Sequence, residues 1–531
     1  MTRAIAFLGT ASDVGKSMVA AGFCRILSDL GHRVAPFKAQ NMALNSYVTR
    51  DGGEIGRAQA LQAQAARVEP SVLMNPILLK PEADSRSQVI LRGRLAGEEE
   101  ARSWFQRSPE RWTLVRETYD ELAADHDVVV LEGAGSAAEL NLWKSDIVNW
   151  RPALHAEADV YLVGDINPGG IFAQLIGTIS LLPDDYRARV RGLIVNRFRG
   201  DLSLFDEGVR LLEEHTGIPV VGVIPWLHGH GLEEEDSLHT RRAAERPFTD
   251  ETLNIAVVLH PRMSNASDFD VFDDEPDVRL RWVTRPEDLA QAHVVILPGS
   301  KNTAEDLDYL RRAGFVDALL EHVGRGRELV GICGGYQMLG VSIDNPTSLE
   351  RGGRCAGLGL LPVRTTMQPA KRTVQAAGVS ALPGLVGLPV SGYEIHIGVT
   401  LPVDAATDAR PAMALEGGVR SGTGDGQPDG GQPDGGQADG RQADGAWAPG
   451  TDTAPGLIWG TYLHGVFDED RFRAAWLARL AARVGLARSV TRGATHRRDQ
   501  RERALDRWAD HLRAALDVPY MLAQLERQRG R

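Results

Sequence analysis

The chain has 531 residues and a formal net charge of −12 at pH 7. Because one hydrophobic core stops growing well below this length, we expect two or three domains. The acidic charge argues against a nucleic-acid partner, and three cysteines without metal-type spacing exclude a disulfide framework and favour the cytoplasm. The sequence contains no run of about 18 apolar residues, so we expect no membrane span.

Short apolar runs alternate with helical stretches along the first part of the chain. This alternation predicts an α/β fold, in which helices cover a mostly parallel sheet, and a first domain at residues 1–238. A change in composition then indicates a linker at residues 239–252. The six predicted strands of the first domain are residues 4–8, 33–37, 127–131, 160–163, 192–195 and 220–224.

A second series of apolar runs predicts a second α/β domain at residues 253–484. An insertion at about residues 421–450 contains four near-identical pentapeptides of Gln, Pro or Ala, Asp and Gly, which predict a disordered surface loop that catalysis does not need. The tail, residues 485–531, predicts an amphipathic helix that packs on one of the domains. The predicted strands here are residues 254–259, 279–283, 293–297, 328–332 and 456–460.

The first strand leads into a glycine-rich loop that is typical of a phosphate-binding loop. Glycines let backbone N–H groups face an anion, so Gly9, Thr10 and Gly15 are predicted to bind the phosphates of ATP. Lys16 would reach the terminal phosphates, and the hydroxyl of Ser17 would bind Mg2+. The alternative, a glycine turn with an unrelated lysine, is disfavoured by the strand and helix on either side.

A phosphate-binding loop also needs acidic groups at the ends of neighbouring strands to hold Mg2+. Glu132, which closes a predicted strand, is the strongest candidate, and Asp51 lies in a polar loop. Acidic residues at strand ends can instead cap the following helix. Asn196 directly follows another strand, where it would either contact the base of the nucleotide or form a turn.

The second domain contains a cysteine between glycines, Cys333, at a predicted turn from strand to helix. Such a turn lets a nucleophile protrude while the N–H of the next residue, Gly334, faces a developing oxyanion. His464 follows a later strand and is the predicted base, while Gly299 follows another and is the predicted second oxyanion donor. The alternatives are a buried structural cysteine and a plain glycine turn.

Three further residues of chemically reactive types are predicted to have structural roles. Cys24 lies within a predicted helix and Cys355 has no catalytic pattern around it, so both are predicted to be structural. His396 could serve as a ligand or a base, but a hydrogen-bonded core histidine is the favoured interpretation.

Three stretches of the sequence carry a family resemblance: PFKAQNMALNS at residues 36–46, GGEIGRAQ at residues 52–59 and MNPILLKP at residues 74–81. With them, the chain resembles the cobyric acid synthase family, the glutamine-dependent amidotransferases of cobalamin biosynthesis. The resemblance covers nearly the whole chain. It implies an N-terminal ATP-dependent synthetase domain of the dethiobiotin-synthetase-like P-loop type and a C-terminal, flavodoxin-like class I glutamine amidotransferase domain.

The resemblance also implies a reaction. Cys333 would attack the side-chain amide of L-glutamine, His464 would carry the proton, and ammonia would pass inside the protein to the synthetase site. There ATP, with Mg2+, would phosphorylate the b, d, e and g carboxylates of a corrinoid, adenosylcobyrinic acid a,c-diamide, and ammonia would displace the phosphate. The candidate corrinoid-binding residues are Lys38, Gln40, Asn41, Asn45 and Asp146.

The sequence departs from the family pattern at two places. Position 466 is Val where related amidotransferases have the Glu that orients the histidine, and Asn167-Pro168 stands where Asp-Arg is expected. Two other functions remain open at this point. One is a P-loop switch protein, like a partition ATPase, with an inactive binding module. The other is a glutamine-dependent ligase acting on a different carboxylate, such as a cell-wall precursor.

Overall fold

The structure is a computed structural model that divides into two compact units. Unit 1 comprises Met1–Ala43, Glu54–Asp236 and Arg498–Arg531, and unit 2 comprises Leu44–Gly53 and Ser237–Arg497. The structure describes residues 2–83, 86–100, 104, 107–232, 247–346, 352–404, 409–416, 441–448, 456–488 and 497–528.

Unit 1 is built on a six-stranded parallel sheet. Its strands, numbered in chain order, lie in the spatial order β12 (Val220–Pro225), β11 (Val190–Phe198), β10 (Asp159–Asp165), β1 (Arg3–Gly9), β9 (Val128–Glu132) and β2 (Val34–Phe37). Each of the six predicted strands forms one of these, which confirms the parallel sheet. Strands β2 and β9 lie on one side of β1, and β10, β11 and β12 lie on its other side. The loop after β1 therefore lies where the strand order reverses, which is the usual place for a ligand in such sheets.

Helices cover both faces of this sheet, which buries the apolar residues of its central strands. The helices between strands are α1 (Lys16–Asp29), α2 (Arg57–Ala65), α3 (Ser108–Ala124), α4 (Trp150–His155), α5 (Ile171–Leu181), α6 (Asp184–Arg187) and α7 (Asp206–Thr216). The described 3-10 helices of unit 1 are Val72–Met74, Trp143–Ser145 and Leu202–Phe205. The apolar side of α1 faces the sheet core, because Val19, Phe23, Ile26 and Leu27 are at most 1% exposed, whereas Leu30 beyond its end is 54% exposed.

The C-terminal helices also belong to unit 1. Trp508 donates its indole N–H to the carbonyl of Met18 at 2.7 Å, and Leu512 and Trp508 fill the space beside Gly22 of α1. The tail therefore packs on the helix that follows the glycine-rich loop, as its amphipathic pattern predicts. These helices are α12 (Arg497–Ala515) and α13 (Val518–Arg527).

A smaller sheet of unit 1 was not predicted. It consists of β3 (Gln40–Met42), β6 (Ile77–Ala83), β7 (Arg86–Leu91) and β8 (Arg94–Glu100). The short strand β5 (Glu54–Gly56) lies between β3 and β6 in the sequence and is not part of this sheet. Only β3 and β6 are parallel, while the other neighbours are antiparallel.

Unit 2 contains a second, largely parallel sheet. Its order is β15 (Val278–Val283), β13 (Leu253–Val258), β16 (Val294–Leu297), β18 (Glu328–Ile332), β26 (Ile458–Thr461) and β25 (Ala446–Trp447), of which β25 is antiparallel. The five predicted strands are all present. The helices are α8 (Thr303–Arg312), α9 (Phe315–Gly324), α10 (Gly334–Leu339) and α11 (Asp470–Arg483), and the described 3-10 helices are Ala266–Phe272, Pro286–Gln291 and Val466–Asp468.

The second sheet of unit 2 is dominated by a long antiparallel hairpin that the sequence did not reveal. Its strands are β19 (Ser342–Asn345), β20 (Gly353–Ala356), β21 (Val363–Ser380), β22 (Pro389–Pro402), β23 (Met413–Glu416), β24 (Arg441–Asp444) and β27 (Leu463–His464). Three short strands complete the unit, namely β4 (Ser46–Val48), β14 (Met263–Ser264) and β17 (Gly299–Ser300).

Strand β24 corrects the expectation of disorder at about residues 421–450. It coincides with the fourth pentapeptide and pairs with β23 through backbone hydrogen bonds, which need no apolar side chains. The side chain of Asp444 also accepts a hydrogen bond from Thr461 of β26. The first three pentapeptides, residues 426–440, lie outside the described residues, as do residues 239–246 of the expected linker.

The course of the chain also differs from a simple succession of two domains. The segment 44–53, within the expected first domain, belongs to unit 2. Unit 2 then continues to Arg497, beyond the expected boundary at residue 484, before the chain returns to unit 1. None of the helices in the described part of the chain is long and apolar enough to cross a membrane.

Candidate active sites

The glycine-rich loop of unit 1 has the geometry of a phosphate cradle. Gly15 caps α1 in a left-handed conformation, with φ of 89°, that a side chain would strain. A Cβ at Gly9 would lie 2.7 Å from Nζ of Lys16, so glycine is required at both ends of the loop. Lys16 reaches over the loop and donates to the carbonyls of Ala11 at 2.8 Å and Gly135 at 3.2 Å. Burial lowers the pKa of Lys16 to about 8.

Glu132 is the centre of a buried polar cluster at the end of β9. Its Oε1 accepts hydrogen bonds from the Ser17 hydroxyl at 2.6 Å and from Nζ of Lys38 at 2.7 Å. Its Oε2 accepts from the amides of Gln62 at 2.6 Å and Gln59 at 3.3 Å. Burial alone would raise the pKa of Glu132, but the charge of Lys38 and these hydrogen bonds outweigh it and lower the pKa.

The Ser17 and Glu132 pair fits a Mg2+ ion. Mg2+ prefers oxygen ligands and often takes only one or two from the protein, keeping several waters and binding phosphate oxygens. Among the described residues, no group of three or more His, Cys, Asp or Glu side chains is arranged to hold a metal ion. Asp51 does not join this pair within unit 1, because it lies in the 44–53 segment of unit 2 and accepts a hydrogen bond from Thr49.

Asn196, at the end of β11, holds the glycine-rich loop. Its amide donates to the carbonyl of Val14 at 2.8 Å, and its own oxygen accepts from the N–H of Arg197. Its side chain is 4% exposed. Thr10 is held on the other side, where its hydroxyl donates to Gln174 at 3.1 Å. Both residues therefore shape the loop.

A cavity of about 660 Å3 in unit 1 opens beside this loop and is lined by Thr10, Gly135 and residues of the smaller sheet. Apolar and aromatic side chains dominate its wall, with a few polar groups among them, which is the usual character of a small-molecule site. Lining residues include Gln40, Met42, Glu99, Trp104, Trp143 and Asp146.

Two of the candidate corrinoid-binding residues, Gln40 and Asp146, line this cavity, and the others have partners elsewhere. Lys38 is committed to Glu132, and Asn41 donates to Gln59 at 3.1 Å. Asp146 lines the cavity, but its two oxygens accept the N–H groups of Val148, Asn149 and Trp150, so it holds the turn that leads into α4. Asn45 lies in unit 2, where its side-chain oxygen accepts the N–H of Ala266 at 3.2 Å.

The cysteine elbow of unit 2 is strained as predicted. Cys333 has φ of 52° and ψ of −108°, an unfavourable conformation for a side-chain-bearing residue that is typical of functional turns. Its N–H is fixed by the carbonyl of Thr461 at 2.9 Å, and Sγ lies 3.6 Å from the carbonyl oxygen of Ile395. A Cβ at Gly334 would lie 2.7 Å from the N atom of Ser300, so no larger residue fits directly after the cysteine.

His464 is fully buried and has a carboxylate partner that sequence reasoning missed. Its Nδ1 lies 2.6 Å from Oδ2 of Asp268, whose Oδ1 accepts the N–H of Gly465 at 3.2 Å. Burial would lower the pKa of His464, but Asp268 and the adjacent Cys333 raise it to about 10. Cys333, His464 and Asp268 therefore form a triad in which a cationic imidazole can stabilise a thiolate.

Asp268 occupies the orienting role that Val466 left open. It lies in the 3-10 helix that follows β13, and the carboxyl ends of the parallel strands β13, β16, β18 and β26 share one edge of the sheet. An acidic residue soon after a predicted strand was the available signal. Val466 itself is buried in the core of unit 2.

Gly299 lies close to the histidine, as its position after β16 predicts. A Cβ at Gly299 would be 3.3 Å from Cε1 of His464 and 2.9 Å from the hydroxyl of Ser264. A side chain there would therefore displace the imidazole. The ring of Tyr393 stacks on the other side of His464, with 5.2 Å between the ring centroids and an interplanar angle of 15°.

The surroundings of Cys24, His396 and Cys355 agree with their interpretation as structural residues. Cys24 is buried in α1, and burial raises the pKa of its thiol strongly. Nδ1 of His396 lies 3.0 Å from the carbonyl oxygen of Gly398, and the ring stacks on Tyr462. Burial lowers the pKa of His396 to about 3, so it stays neutral. Cys355 lies in β20, away from the triad strands in the sheet order.

Comparison with known proteins finds family models and relatives that match both parts of the chain. The family model described as a CobQ/CobB/MinD/ParA nucleotide binding domain matches residues 5–236, and the one described as a CobB/CobQ-like glutamine amidotransferase domain matches residues 254–472. The cobyric acid synthases of Syntrophobacter fumaroxidans and Desulforudis audaxviator are each 46% identical over 97% of this chain and cover 97% and 98% of their own lengths. That of Nitratidesulfovibrio vulgaris is 45% identical over 99% of this chain and 97% of its own.

The chain belongs to the cobyric acid synthase family. Like other members of the cobyric acid synthase family, it combines a P-loop domain with a glutamine amidotransferase domain, so the predicted fold class is confirmed. It is a glutamine-hydrolysing amide ligase that also uses a nucleotide. The alternative of a P-loop switch protein with an inactive binding module is therefore wrong.

The second departure from the family pattern lies at the end of β10. The N–H of Asn167 donates to Oδ1 of Asp165 at 2.8 Å, and Oδ2 of Asp165 pairs with Arg197 at 3.0 Å. Asn167 and Pro168 thus form a turn that Asp165 holds.

Proposed function

We propose that this chain uses ATP and glutamine to amidate the b, d, e and g carboxylates of adenosylcobyrinic acid a,c-diamide. The observation that carries the proposal is the Cys333, His464 and Asp268 triad in a chain that also has a complete phosphate loop. The names of the relatives, which cover nearly the whole chain, support a corrinoid rather than a cell-wall precursor as the substrate.

In the glutaminase reaction, the thiolate of Cys333 attacks the side-chain carbonyl carbon of glutamine. The backbone N–H groups of Gly334 and Gly299 stabilise the developing oxyanion. His464 gives its proton to the leaving nitrogen, so ammonia departs and a glutamyl thioester remains on Cys333. Water then attacks the thioester, with His464 taking its proton, and glutamate is released.

In the synthetase reaction, the corrinoid carboxylate attacks the γ-phosphate of ATP to give an acyl phosphate and ADP. Gly9, Thr10, Gly15 and Lys16 hold the phosphates, while Ser17 and Glu132 would hold the Mg2+ ion, which neutralises phosphate charge when bound. Ammonia attacks the acyl carbon, the C–O bond to phosphate breaks, and an amide and phosphate result. A carboxylate needs this activation because it is a poor electrophile.

The cavity of unit 1 is the proposed site of the corrinoid carboxylates. It adjoins the phosphate loop at Thr10 and Gly135 and includes Gln40. Lys38 and Asn41 support this site indirectly, through Glu132 and Gln59. Asp146 supports it by holding the turn that leads into α4.

The test supplies ATP, Mg2+ and the a,c-diamide with either glutamine or an ammonium salt, and counts the added amides by mass spectrometry. We expect four amides from either nitrogen source with the unaltered chain. Cys333→Ala should retain only the ammonium-dependent reaction, and Lys16→Ala should lose both. Failure of the unaltered chain to add amides from ammonium would overturn the proposed substrate, and glutamine use by Cys333→Ala would overturn the role of the thiol.

A further inference from the structure

The segment 44–53 contacts residues that adjoin His464 and Asp268, although it lies next to the phosphate-site motifs in the sequence. It belongs to unit 2, where Asn45 and Ser46 meet the loop that carries Asp268. The sequence resemblance suggested corrinoid binding for Asn45, but its side-chain oxygen is already committed to the N–H of Ala266.

The link between this segment and the catalytic histidine is Asn265. Its Oδ1 accepts the N–H of Ser46 at 3.4 Å, and its Nδ2 lies 3.2 Å from Nδ1 and 3.3 Å from Nε2 of His464. Asn265 is 2% exposed and has a left-handed backbone, with φ of 56°. Such a conformation costs free energy in residues other than glycine and persists where its surroundings hold it.

The segment also supports the face of the imidazole. Val48 is packed with Tyr393 and Ile395 in a small buried cluster, and Tyr393 is the ring that stacks on His464. Gln375 of β21 fixes the segment from the far side by donating to the carbonyl of Val48 at 2.8 Å. The edge and the face of the imidazole are therefore both supported by residues that the segment contacts.

We propose that Asn265 is a positioning residue for His464 and that the 44–53 segment, through Asn45 and Ser46, holds Asn265 in place. Asp268 fixes one ring nitrogen and Tyr393 stacks on the ring, but neither contact fixes the direction of the opposite nitrogen. Asn265 restricts this direction and keeps the opposite nitrogen aimed at the cysteine. The inference rests on the proposed function of His464 as the acid and base of glutamine hydrolysis.

The test compares Asn45→Leu with Asn45→Asp in the full chain. Leucine removes the acceptor for the Ala266 N–H, whereas aspartate keeps an acceptor oxygen at the same place. The measurements are kcat and KM for glutamine hydrolysis and the rate of ammonium-dependent amidation. Arg50→Ala, which alters an exposed side chain of the same segment, is the matched control.

We expect Asn45→Leu to lower kcat for glutamine by about 10-fold or more, because small misplacements of a catalytic group can cost ~100-fold. The KM for glutamine and the ammonium-dependent rate should stay within about 2-fold, since neither depends on the imidazole position. Asn45→Asp should restore most of kcat, and Arg50→Ala should match the unaltered chain. The melting temperature of each variant is measured to detect global unfolding.

Two results would overturn the inference. One is an unchanged kcat for glutamine in Asn45→Leu. The other is an equal loss of the ammonium-dependent reaction, which would assign Asn45 to the corrinoid site instead. Failure of the proposed function is distinguishable, because the unaltered chain would then lack glutamine hydrolysis or amidation before any substitution is made.

Discussion

The buried imidazole of His464 in unit 2 pairs with a carboxylate 196 positions away in the sequence. Cys333, His464, Lys16, Ser17 and Glu132 could be predicted because each follows or closes a strand within a recognisable local pattern. Asp268 could not be singled out, since nothing in its immediate sequence reports which histidine it meets. A carboxylate that orients an imidazole needs only the right distance and can come from any strand end at the same sheet edge.

Replacing Asp268 with Asn should lower the glutaminase rate and change its pH dependence. The imidazolium of His464 has its pKa raised to about 10, so its proton is retained below that pH and lost as the pH rises through about 10. Without the Asp268 charge the pKa of His464 falls, and the alkaline loss of kcat/KM should move to lower pH. We expect a rate decrease of about 10-fold or more at neutral pH.

The control for this experiment is Asp274→Asn, because the Asp274 carboxylate is exposed and pairs with Arg497. It should leave the pH profile of glutamine hydrolysis unchanged. An Asp268→Asn profile that coincides with that of the unaltered chain would show that Asp268 does not set the charge of His464.

Replacing Glu132 with Gln should abolish ATP-dependent amidation and also destabilise unit 1. The change removes the predicted Mg2+ ligand and breaks the buried ion pair between Lys38 and Glu132, which costs about 3–5 kcal/mol. Adding Lys38→Met should recover part of the melting temperature, because it removes the buried positive charge that Glu132 balanced, without recovering amidation. Amidation at the normal rate by Glu132→Gln would contradict the metal assignment.

At the scale of elements, the alternation of apolar runs and helices was sufficient to predict both parallel sheets. Parallel strands are buried on both faces, so they stand out as continuous apolar runs. The hairpin β21–β22 and the sheet β6–β8 did not stand out, because partly exposed antiparallel strands carry many polar residues. Composition also misled at Arg441–Asp444, where backbone pairing gives order to a sequence with little apolar content.

Two deletions separate the contribution of β24 and β25 from that of the first three pentapeptides. Removing residues 426–440 should leave the melting temperature and the glutaminase rate unchanged. Extending the deletion through residue 448 removes β24, β25 and the Asp444 acceptor of Thr461, the residue whose carbonyl fixes the N–H of Cys333. We expect the glutaminase rate and melting temperature to fall only with the longer deletion, and equal effects of both would contradict this division.

At the scale of the whole molecule, sequence order is a poor guide to unit membership. The segment 44–53 belongs to unit 2, although the residues on both sides of it belong to unit 1. The chain after Arg497 belongs to unit 1, although the residues before it belong to unit 2. Asp51 and Asn45 were assigned to the nucleotide and corrinoid sites because they lie beside the phosphate-site motifs in sequence. Only long-range packing reveals that both are residues of unit 2.

Replacing Trp508 with Ala should destabilise unit 1 and weaken its binding of ATP. Trp508 is 6% exposed and packs on α1, so the truncation should cost about 3–5 kcal/mol. Because α1 begins at Lys16, its displacement disturbs the phosphate loop. The matched control is Leu204→Ala at a side chain that is 82% exposed, where we expect about 0.5 kcal/mol or less. Calorimetric melting and titration with ATP measure both effects, and equal results for the two variants would contradict this packing role.

The return of the chain to unit 1 after Arg497 has a consequence for biosynthesis. The ribosome completes the sheet of unit 1 at residue 225, but the helices that cover α1 emerge only roughly 300 residues later. At about 5–20 residues per second, the nascent sheet waits some 15–60 s with that face uncovered. During this interval the apolar residues that later receive Trp508 and Leu512 are open to chaperones and to other nascent chains.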